Sequence, residues 1–567
     1  MEEFGKWLES EKLSSKEHIE LLELSSNTKE KEYRFGKTLE FGTAGMRGLI
    51  GMGTNMMNRH MVNWATQALA NFIKATDNAV SRGVVISYDT RRMSREFAVS
   101  CATVLATNGI KTYLYNEVHP VPMLSYAVRK LNAFAGIMIT ASHNPKEYNG
   151  YKVYGEDGAQ MSPEATAEVL KFMDQIESPL SDKILCDISL EKKIKTVPKA
   201  LDKKYYRTIK KLCLSKNEVR KVGKKIKLVY TPVHGSGYVP VTTILKKLGI
   251  NATLVPEQVC KDTEFSTVAV PNPEIKETLT LGIKMADFKN ADVVFGTDPD
   301  CDRLGVAIRN NENQFVALSG NQIGALLLDY VLARLKENGK LTDKGFVVKS
   351  FVTTALAKLI ADDYGVELME TPVGFKFIGE KIKQFDDTGL REFIFGFEES
   401  CGYLRGTHCR DKDAVVASML FAEMVCYYTY IGKGVYERLM EIYDKYGYIF
   451  DTNVSTAYSG LNAMKDMNAV VDKLKTITVD NIAGIKVVAT RDYSKAVRKL
   501  ADGTVENMDS PTTNAVYYEL EGGSFVCVRP SGTEPKLKVY YSLKCENEQV
   551  ANEKFQAVKT DFETYMK

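Results

Sequence analysis

Three stretches of this 567-residue chain repeat one rhythm. An apolar run rich in β-branched residues is followed by a helical pattern, a second apolar run, another helical pattern and a third apolar run. The third run always ends abruptly in a polar loop. The runs are Gly83–Thr90, Lys111–Val118 and Phe134–Pro145 in the first stretch, and Lys227–Gly237, Asn251–Glu257 and Ala291–Arg303 in the second. In the third they are Gly345–Thr354, Gly365–Gly374 and Glu392–Gly402. Strands alternating with helices at this spacing predict parallel βα units, repeated at a domain-sized period rather than as a solenoid. Ligands of such sheets sit beyond the carboxyl ends of the strands. The expected fold class is therefore α/β: three similar parallel or mixed-sheet α/β domains, plus a C-terminal α+β domain, around one central cleft. The expected domains are residues 1–205, 206–317, 318–440 and 441–567. The Lys-rich segment Leu190–Tyr205 reads as a linker or surface helix.

Charge and cysteine usage exclude several classes. Seventy-five basic residues against 72 acidic ones give a net charge of +3, too balanced for a nucleic-acid or polybasic membrane binder. The ten cysteines lie singly, with no C-x-x-C pair, which fits a reducing compartment and no zinc knuckle. The most apolar run, Ala414–Gly432, carries Glu423 mid-span and reads as a buried core helix. With no targeting signal in the amphipathic start of the chain, the expected location is the cytoplasm. The expected partners are small molecules, with no nucleic acid and no membrane; both monomer and dimer stay open.

The polar loops carry the chemistry. In Thr140–Pro145 a strand ends on Ser142, a hydroxyl nucleophile, with His143 beside it and Lys152 ten residues after the serine. A Ser–His hydrolase needs a spaced base and an oriented acid; adjacent side chains in a strand-end turn are expected to diverge, and no G-x-S-x-G elbow occurs. The plainer role for His143 is to scaffold the loop. In Gly296–Gly305, Asp298, Asp300 and Asp302 alternate, which in extended backbone places all three on one side. An all-oxygen set suits Mg²⁺ or Mn²⁺. An EF-hand fails because Arg303 stands at its glycine position and Arg309 at its terminal glutamate position. Arg303 suits a phosphate near the metal or simply neutralises the aspartates. Cys301 is expected to pack away from them.

Arg529, Ser531, Gly532 and Thr533 combine a guanidinium, two hydroxyls and a backbone turn fit for a phosphate monoester; the same residues also fit a hairpin turn. Glu398, Glu399 and Ser400 suit paired sugar hydroxyls or a solvated loop. Arg410 and Lys412, with His408, meet an anion or pair with Asp411 and Asp413. No Walker loop and no third Rossmann glycine is present. Next to a metal and a separate phosphate site, Ser142 makes sense as a phosphoryl carrier.

Taken in order, Phe41–Gly48 (FGTAGMRG), TASHNP, GTDPDCDR, GFEESCG and Arg529–Pro535 (RPSGTEP) resemble the α-D-phosphohexomutase superfamily across nearly the whole chain. The chain is most similar to the long-form phosphoglucomutase branch that also includes phosphopentomutases. The resemblance implies that Ser142 is phosphorylated and that Asp298, Asp300 and Asp302, with the phosphoserine, bind one Mg²⁺. It implies catalytic roles around Ser142, His143, Arg47 and Lys152, with Lys152 as the proton-transfer group. Substrate contacts are implied for Arg303, Lys349, Gly374, Lys376, Glu398, Ser400, Arg410 and Lys412, and binding of the non-reacting phosphate for Arg529, Ser531, Gly532 and Thr533. Tyr403 stands where the bacterial phosphomannomutase/phosphoglucomutase branch has a histidine, which weakens a mannose reading. The implied activity interconverts glucose 1-phosphate and glucose 6-phosphate through glucose 1,6-bisphosphate, which is both intermediate and activator. Alternatives are phosphopentomutase, phosphomannomutase or glucose 1,6-bisphosphate synthase activity, and a non-catalytic sugar-phosphate sensor.

Overall fold

The computed structural model describes residues 2–42, 45–458, 463–531 and 536–567. Its first sheet contains β1 (Gly45–Leu49), β2 (Val84–Tyr88), β3 (Thr112–Leu114), β4 (Ala135–Ile139), β5 (Tyr148–Tyr154) and β6 (Lys195–Thr196), in the order β1-β5-β4-β2-β3-β6. Every residue of β2 (VVISY) and β4 (AGIMI) is buried. Strands covered on both faces are continuous apolar runs, and their parallel pairing requires crossover helices. Ser94–Thr107 and Val121–Lys130 provide them. β3 and β4 both run parallel to β2, and β5 then returns antiparallel beside β4.

The second sheet holds β7 (Leu228–Thr231), β8 (Ala252–Leu254), β9 (Val293–Thr297), β10 (Leu304–Arg309) and β11 (Phe315–Ala317), ordered β11-β10-β9-β7-β8. The third holds β12 (Gly345–Ser350), β13 (Glu367–Thr371), β14 (Glu392–Glu398) and β15 (Gly402–Leu404), ordered β13-β12-β14-β15. All three share one topology. The third parallel strand lies beside the first, the first beside the second, and an antiparallel strand closes onto the third. The polar loops are therefore hairpin turns between the third strand and its antiparallel neighbour. Each contains a non-glycine residue in left-handed backbone: Ser142 (φ 52), Cys301 (φ 51) and Cys401 (φ 62).

The Lys-rich segment differs from the linker or surface helix expected for Leu190–Tyr205. Lys195–Thr196 pairs parallel to β3 as an edge strand, and the helix Ala200–Lys210 follows. Two exposed residues carry too little pattern to announce a strand.

The C-terminal sheet is antiparallel: β16 (Tyr448–Ala457), β17 (Asn481–Ile482), β18 (Ile485–Asp492), β19 (Val497–Leu500), β20 (Val505–Asn507), β21 (Val516–Leu520), β22 (Ser524–Pro530) and β23 (Lys536–Cys545). The helices Ala463–Thr476 and Glu548–Met566 pack on it through Met467, Val471, Val558 and Phe562.

Packing unites some units more than others. One continuous apolar core runs through the second and third sheets and takes in Met123, Tyr126 and Tyr205 from the first unit, and the helix Ala414–Tyr430 is buried in it along nearly its whole length. Its Glu423 accepts hydrogen bonds from the Leu214 and Ser215 N–H groups (2.6 and 2.7 Å) and the Tyr330 hydroxyl (2.8 Å). The first sheet has its own core around Val62, Leu69, Ile86 and Ile137, and the C-terminal sheet another. Among the described residues, no single helix is long and apolar enough to cross a membrane.

Candidate active site

At the end of β4 the chain turns on Ser142. Its N–H donates to Thr140 Oγ1 (2.8 Å), and that hydroxyl donates to Asp89 Oδ2 (2.6 Å). Asp89, at the end of β2, also accepts from Ser94 Oγ (2.7 Å) and pairs with Arg91 (3.2 Å). The buried Arg91 guanidinium reaches under the hairpin and donates to the carbonyls of Ser142, Asn144 (2.6 Å) and Pro145 (2.9 Å). Arg91 is thus the post on which the Ser142 loop hangs. The sequence signal for it was the polar run that ends the first strand of the repeat, Asp89 to Arg92.

Ser142 Oγ donates to Asp298 Oδ2 at 2.9 Å, so the first two hairpins meet at their tips. His143 Nδ1 lies 3.3 Å from the same hydroxyl. The adjacent side chains were expected to diverge; the left-handed turn at Ser142 instead brings them together. Burial, with the charges of Arg303 and Arg47 nearby, holds His143 well below the usual imidazole range. The ring is therefore neutral at pH 7.

The aspartates converge for a reason different from strand alternation. Residues 298–302 form a turn, closed by the Cys301 N–H to the Asp298 carbonyl (2.9 Å), and Cys301 is buried in the core. Asp298 Oδ1 accepts the N–H groups of Asp302 (3.1 Å) and Arg303 (3.0 Å). Asp298, Asp300 and Asp302 are all buried, and one oxygen from each lies within 4.8 Å of the others. Lys152 Nζ donates to Asp300 Oδ2 (2.9 Å), and Lys412 Nζ sits 3.2 Å from Asp302 Oδ2. Burial and its two neighbours push the Asp298 carboxyl well up. Burial also opposes the charge on Asp300, but the lysines outweigh it and hold that carboxyl far below its usual range. Asp300 Oδ1 and Asp302 Oδ1 are buried without a hydrogen-bond partner. Orphaned carboxylate oxygens facing one another fit a hard cation.

The third hairpin is joined to the second through backbone. Leu304 N–H donates to the Cys401 carbonyl (3.0 Å), and Arg303 bridges to Gly402. Glu398 is buried and accepts the Gly374 N–H (2.7 Å). Gly374 has φ +125, a backbone open to glycine at little cost. Burial, with Glu399 beside it, lifts the Glu398 carboxyl to about 7 against the charge of Lys412.

Models of the phosphoglucomutase/phosphomannomutase family match the chain in order: α/β/α domain I over residues 38–180, domain II over 203–311, domain III over 319–446 and the C-terminal domain over 467–559. A phosphoglucomutase of Staphylococcus haemolyticus is 37% identical over 543 residues, covering 95% of this chain and 96% of that one. A Staphylococcus aureus phosphoglucomutase (strain USA300) is 37% identical over 548 residues, 95% of each chain. The chain belongs to this family. The fold agrees with solved structures. A phosphoglucomutase/phosphomannomutase family protein from Burkholderia thailandensis superposes with a TM-score of 0.67 at 17% identity, covering 93% of this chain and 96% of that one. The open form of pp63/parafusin (phosphoglucomutase) from Paramecium gives 0.67 at 18%, covering 94% and 95%.

The remaining family motif residues fall into two groups. Lys412 and Arg47 reach the hairpin tips. Lys412 also pairs with Asp411 (3.0 Å), and Arg47, on β1, donates to Asn144 Oδ1 (3.1 Å). Asp302, Asp411 and Glu398 overcome burial and hold the Lys412 ammonium firmly charged. The others are engaged by acids that sequence reasoning passed over: Arg303 by Glu274, Lys349 by Glu370 (2.8 Å) and Arg410 by Asp386. Lys376 is half-buried over the Phe377 ring, and its ammonium is pulled down by burial. Ser400 is half-buried at the third hairpin. His408 takes the plainer of its two readings, bound to Asp413 Oδ2 (2.7 Å). Tyr403 is fully buried, with its hydroxyl on the Gly320 carbonyl (3.3 Å), so it is a core residue and not a replacement for the histidine.

Arg529 is the last residue but one of β22, and the Ser531 N–H donates to the Lys536 carbonyl (2.8 Å). Gly532 and Thr533, expected at the phosphate site, lie outside the described residues. The charges of Arg529 and Glu399 both act on the Tyr540 hydroxyl, which brings this end of the C-terminal sheet beside the third hairpin.

Proposed function

We propose that the protein is a phosphoglucomutase that interconverts glucose 1-phosphate and glucose 6-phosphate. One observation carries the reading: Ser142 Oγ, the group to be phosphorylated, lies 2.9 Å from Asp298 in a buried triad with orphaned oxygens. The family relationship supports the substrate class, and the 37% identity to phosphoglucomutases supports glucose. The four units proposed are divided near residues 205, 317 and 440.

In the proposed reaction a free sugar hydroxyl attacks phosphorus on phospho-Ser142, and the bond from phosphorus to Oγ breaks. Lys152, held at Asp300, gives a proton to the departing Oγ and takes one from the attacking hydroxyl. Glucose 1,6-bisphosphate forms, turns over and returns its other phosphoryl group to Ser142. Asp298, Asp300, Asp302 and the phosphoserine would hold one Mg²⁺, which when bound draws charge from the transferring group. Arg529 and Ser531, with Gly532 and Thr533, hold the phosphate that does not react. Glu398 and Ser400 bind sugar hydroxyls, while Gly374 and Lys376 read the orientation of the sugar. Arg47, Arg303, Lys349, Arg410 and Lys412 supply positive charge. His143, neutral and beside Oγ, orients the serine.

The test is intact-mass analysis with and without glucose 1,6-bisphosphate, followed by kcat/KM for glucose, mannose and pentose phosphates. The expected result is a mass gain of one phosphate that Ser142→Ala abolishes together with turnover, and a preference for glucose. Full turnover in Ser142→Ala with added bisphosphate overturns the mechanism. A tenfold preference for a pentose phosphate overturns the substrate.

A further inference from the structure

A cavity of about 420 Å³ lies outside the three hairpins, in the range that small ligands occupy. It opens past the carboxyl ends of β2 and β3, where parallel sheets place ligands. Its wall includes Thr90, Arg91, Arg92 and Arg95, with Lys261 closing it from the second unit.

The charges in this wall are unevenly spent. Asp89 is taken by Arg91, and Glu117 by Lys261 (2.6 Å). The exposed guanidinium groups of Arg92 and Arg95 form no ion pair among the described residues; Glu96 and Glu117 oppose them in the wall, and Arg95 also reaches the Tyr88 hydroxyl. Both stand at the start of the 14-residue helix Ser94–Thr107, whose N-terminus has no side-chain cap. The positive end of its dipole adds to theirs. A second observation points to a ligand independently. Thr90 is 5% exposed, and its hydroxyl has no hydrogen-bond partner. A buried hydroxyl is ordinarily satisfied. Here the residue belongs to a cavity wall with two guanidinium groups that form no ion pair among the described residues. An anionic oxygen would accept from all three.

We propose that this cavity is a second anion site, which takes a small phosphate-bearing molecule and is coupled to the nucleophile hairpin through Arg91. Arg91 lies between Thr90 and Arg92 in the chain and donates to the carbonyls of Ser142, Asn144 and Pro145. A ligand that draws on the flanking residues therefore acts on the support of the phosphoryl-carrying loop.

Equilibrium dialysis of the full chain with radiolabelled orthophosphate tests the site. Arg529→Ala weakens the active-site phosphate, and the part of the remaining binding that Arg92→Ala and Arg95→Ala remove reports the cavity. The expected result is a class of site that persists in Arg529→Ala and weakens at least tenfold on adding Arg92→Ala and Arg95→Ala. These two changes are at exposed positions, and unchanged melting confirms that the fold survives. Absence of any class beyond the one that Arg529→Ala removes, up to about 10 mM phosphate, overturns the site. For the coupling, hydrogen exchange of amides 142–148 in Arg529→Ala should slow at least twofold with phosphate, and the Arg92/Arg95 changes should abolish this. Binding without that protection overturns the coupling. Neither readout needs mutase activity, so failure here is distinguishable from failure of the proposed function.

Discussion

The second and third units share a single apolar core, whereas the first unit meets them mainly through polar atoms. Between the second and third, buried side chains run without a break, and Glu423 pins two backbone N–H groups inside. Across the frontier with the first unit lie Ser142 to Asp298, Lys152 to Asp300, Tyr154 to Asp411 (3.0 Å) and Lys146 to Glu264 (3.0 Å). Met123, Tyr126 and Tyr205 are its members in the central core. The acidic triad and the third hairpin thus ride on one apolar core. Ser142 is brought to that core by groups that water can replace. Parts that must open to exchange substrate are expected to meet this way, since apolar interfaces resist separation more strongly.

The largest effect expected from breaking this contrast is on turnover. Lys152→Met removes a frontier pair and the proposed proton carrier together, so kcat should fall on the order of 10³-fold. Steady-state assays check it, and a loss below tenfold would remove Lys152 from the chemistry. Next comes the central body. Glu423→Ala leaves two buried N–H groups unsatisfied and should lower stability by about 3 kcal/mol. Urea unfolding followed by far-UV circular dichroism should show this. The fluorescence of Trp7 and Trp64, both in the first unit, should keep its midpoint if the two bodies unfold separately.

A smaller effect concerns the C-terminal unit, which docks on the third through Arg491 to Glu370 (2.6 Å) and the stacked rings of Phe351 and Tyr493. Burial raises the Glu370 carboxyl, but Lys349 and Arg491 outweigh it and bring it from 4.5 down to about 2. A depressed folded-state value stabilises above the unfolded pKa, and that stability disappears as pH falls through the folded one. With 28% of the side chain exposed, the contribution at pH 7 is about 2 kcal/mol. Glu370→Gln should therefore lose about that much at pH 7 relative to the parent, with the gap closing between pH 4.5 and 2. Unfolding curves at pH 7 and pH 3 measure it. Least of all, Tyr154→Phe deletes one frontier hydrogen bond while Asp411 keeps Lys412, so about 1 kcal/mol is expected. A loss above about 3 kcal/mol would show the frontier to be as cohesive as the core.

Much of this arrangement was legible in the sequence. Runs such as AGIMI and VVFGT, buried on both faces, can only be central strands, and their polar ends mark where ligands belong. That the three loops stand at equivalent strand ends followed from the repeated rhythm; that each is a hairpin turn into an antiparallel strand did not. The acids that engage the cations were not legible. Glu274, Glu370 and Asp386 lie far in sequence from Arg303, Lys349 and Arg410, and strand register and helix placement decide such pairings. The aspartate triad was found by a pattern whose geometry was wrong: its spacing suggested extended backbone, and a tight turn gathers the carboxylates instead. In the C-terminal sheet β18, β19 and β20 escaped notice because charged residues interrupt them and few of their residues are buried.

The left-handed backbone at Ser142 also limits which alcohol this hairpin can carry. A threonine would bring an equally phosphorylatable oxygen, but its branched Cβ at φ 52 would press against the flanking peptide groups. The turn therefore favours a primary alcohol over a secondary one at this position by shape, before reactivity is tested.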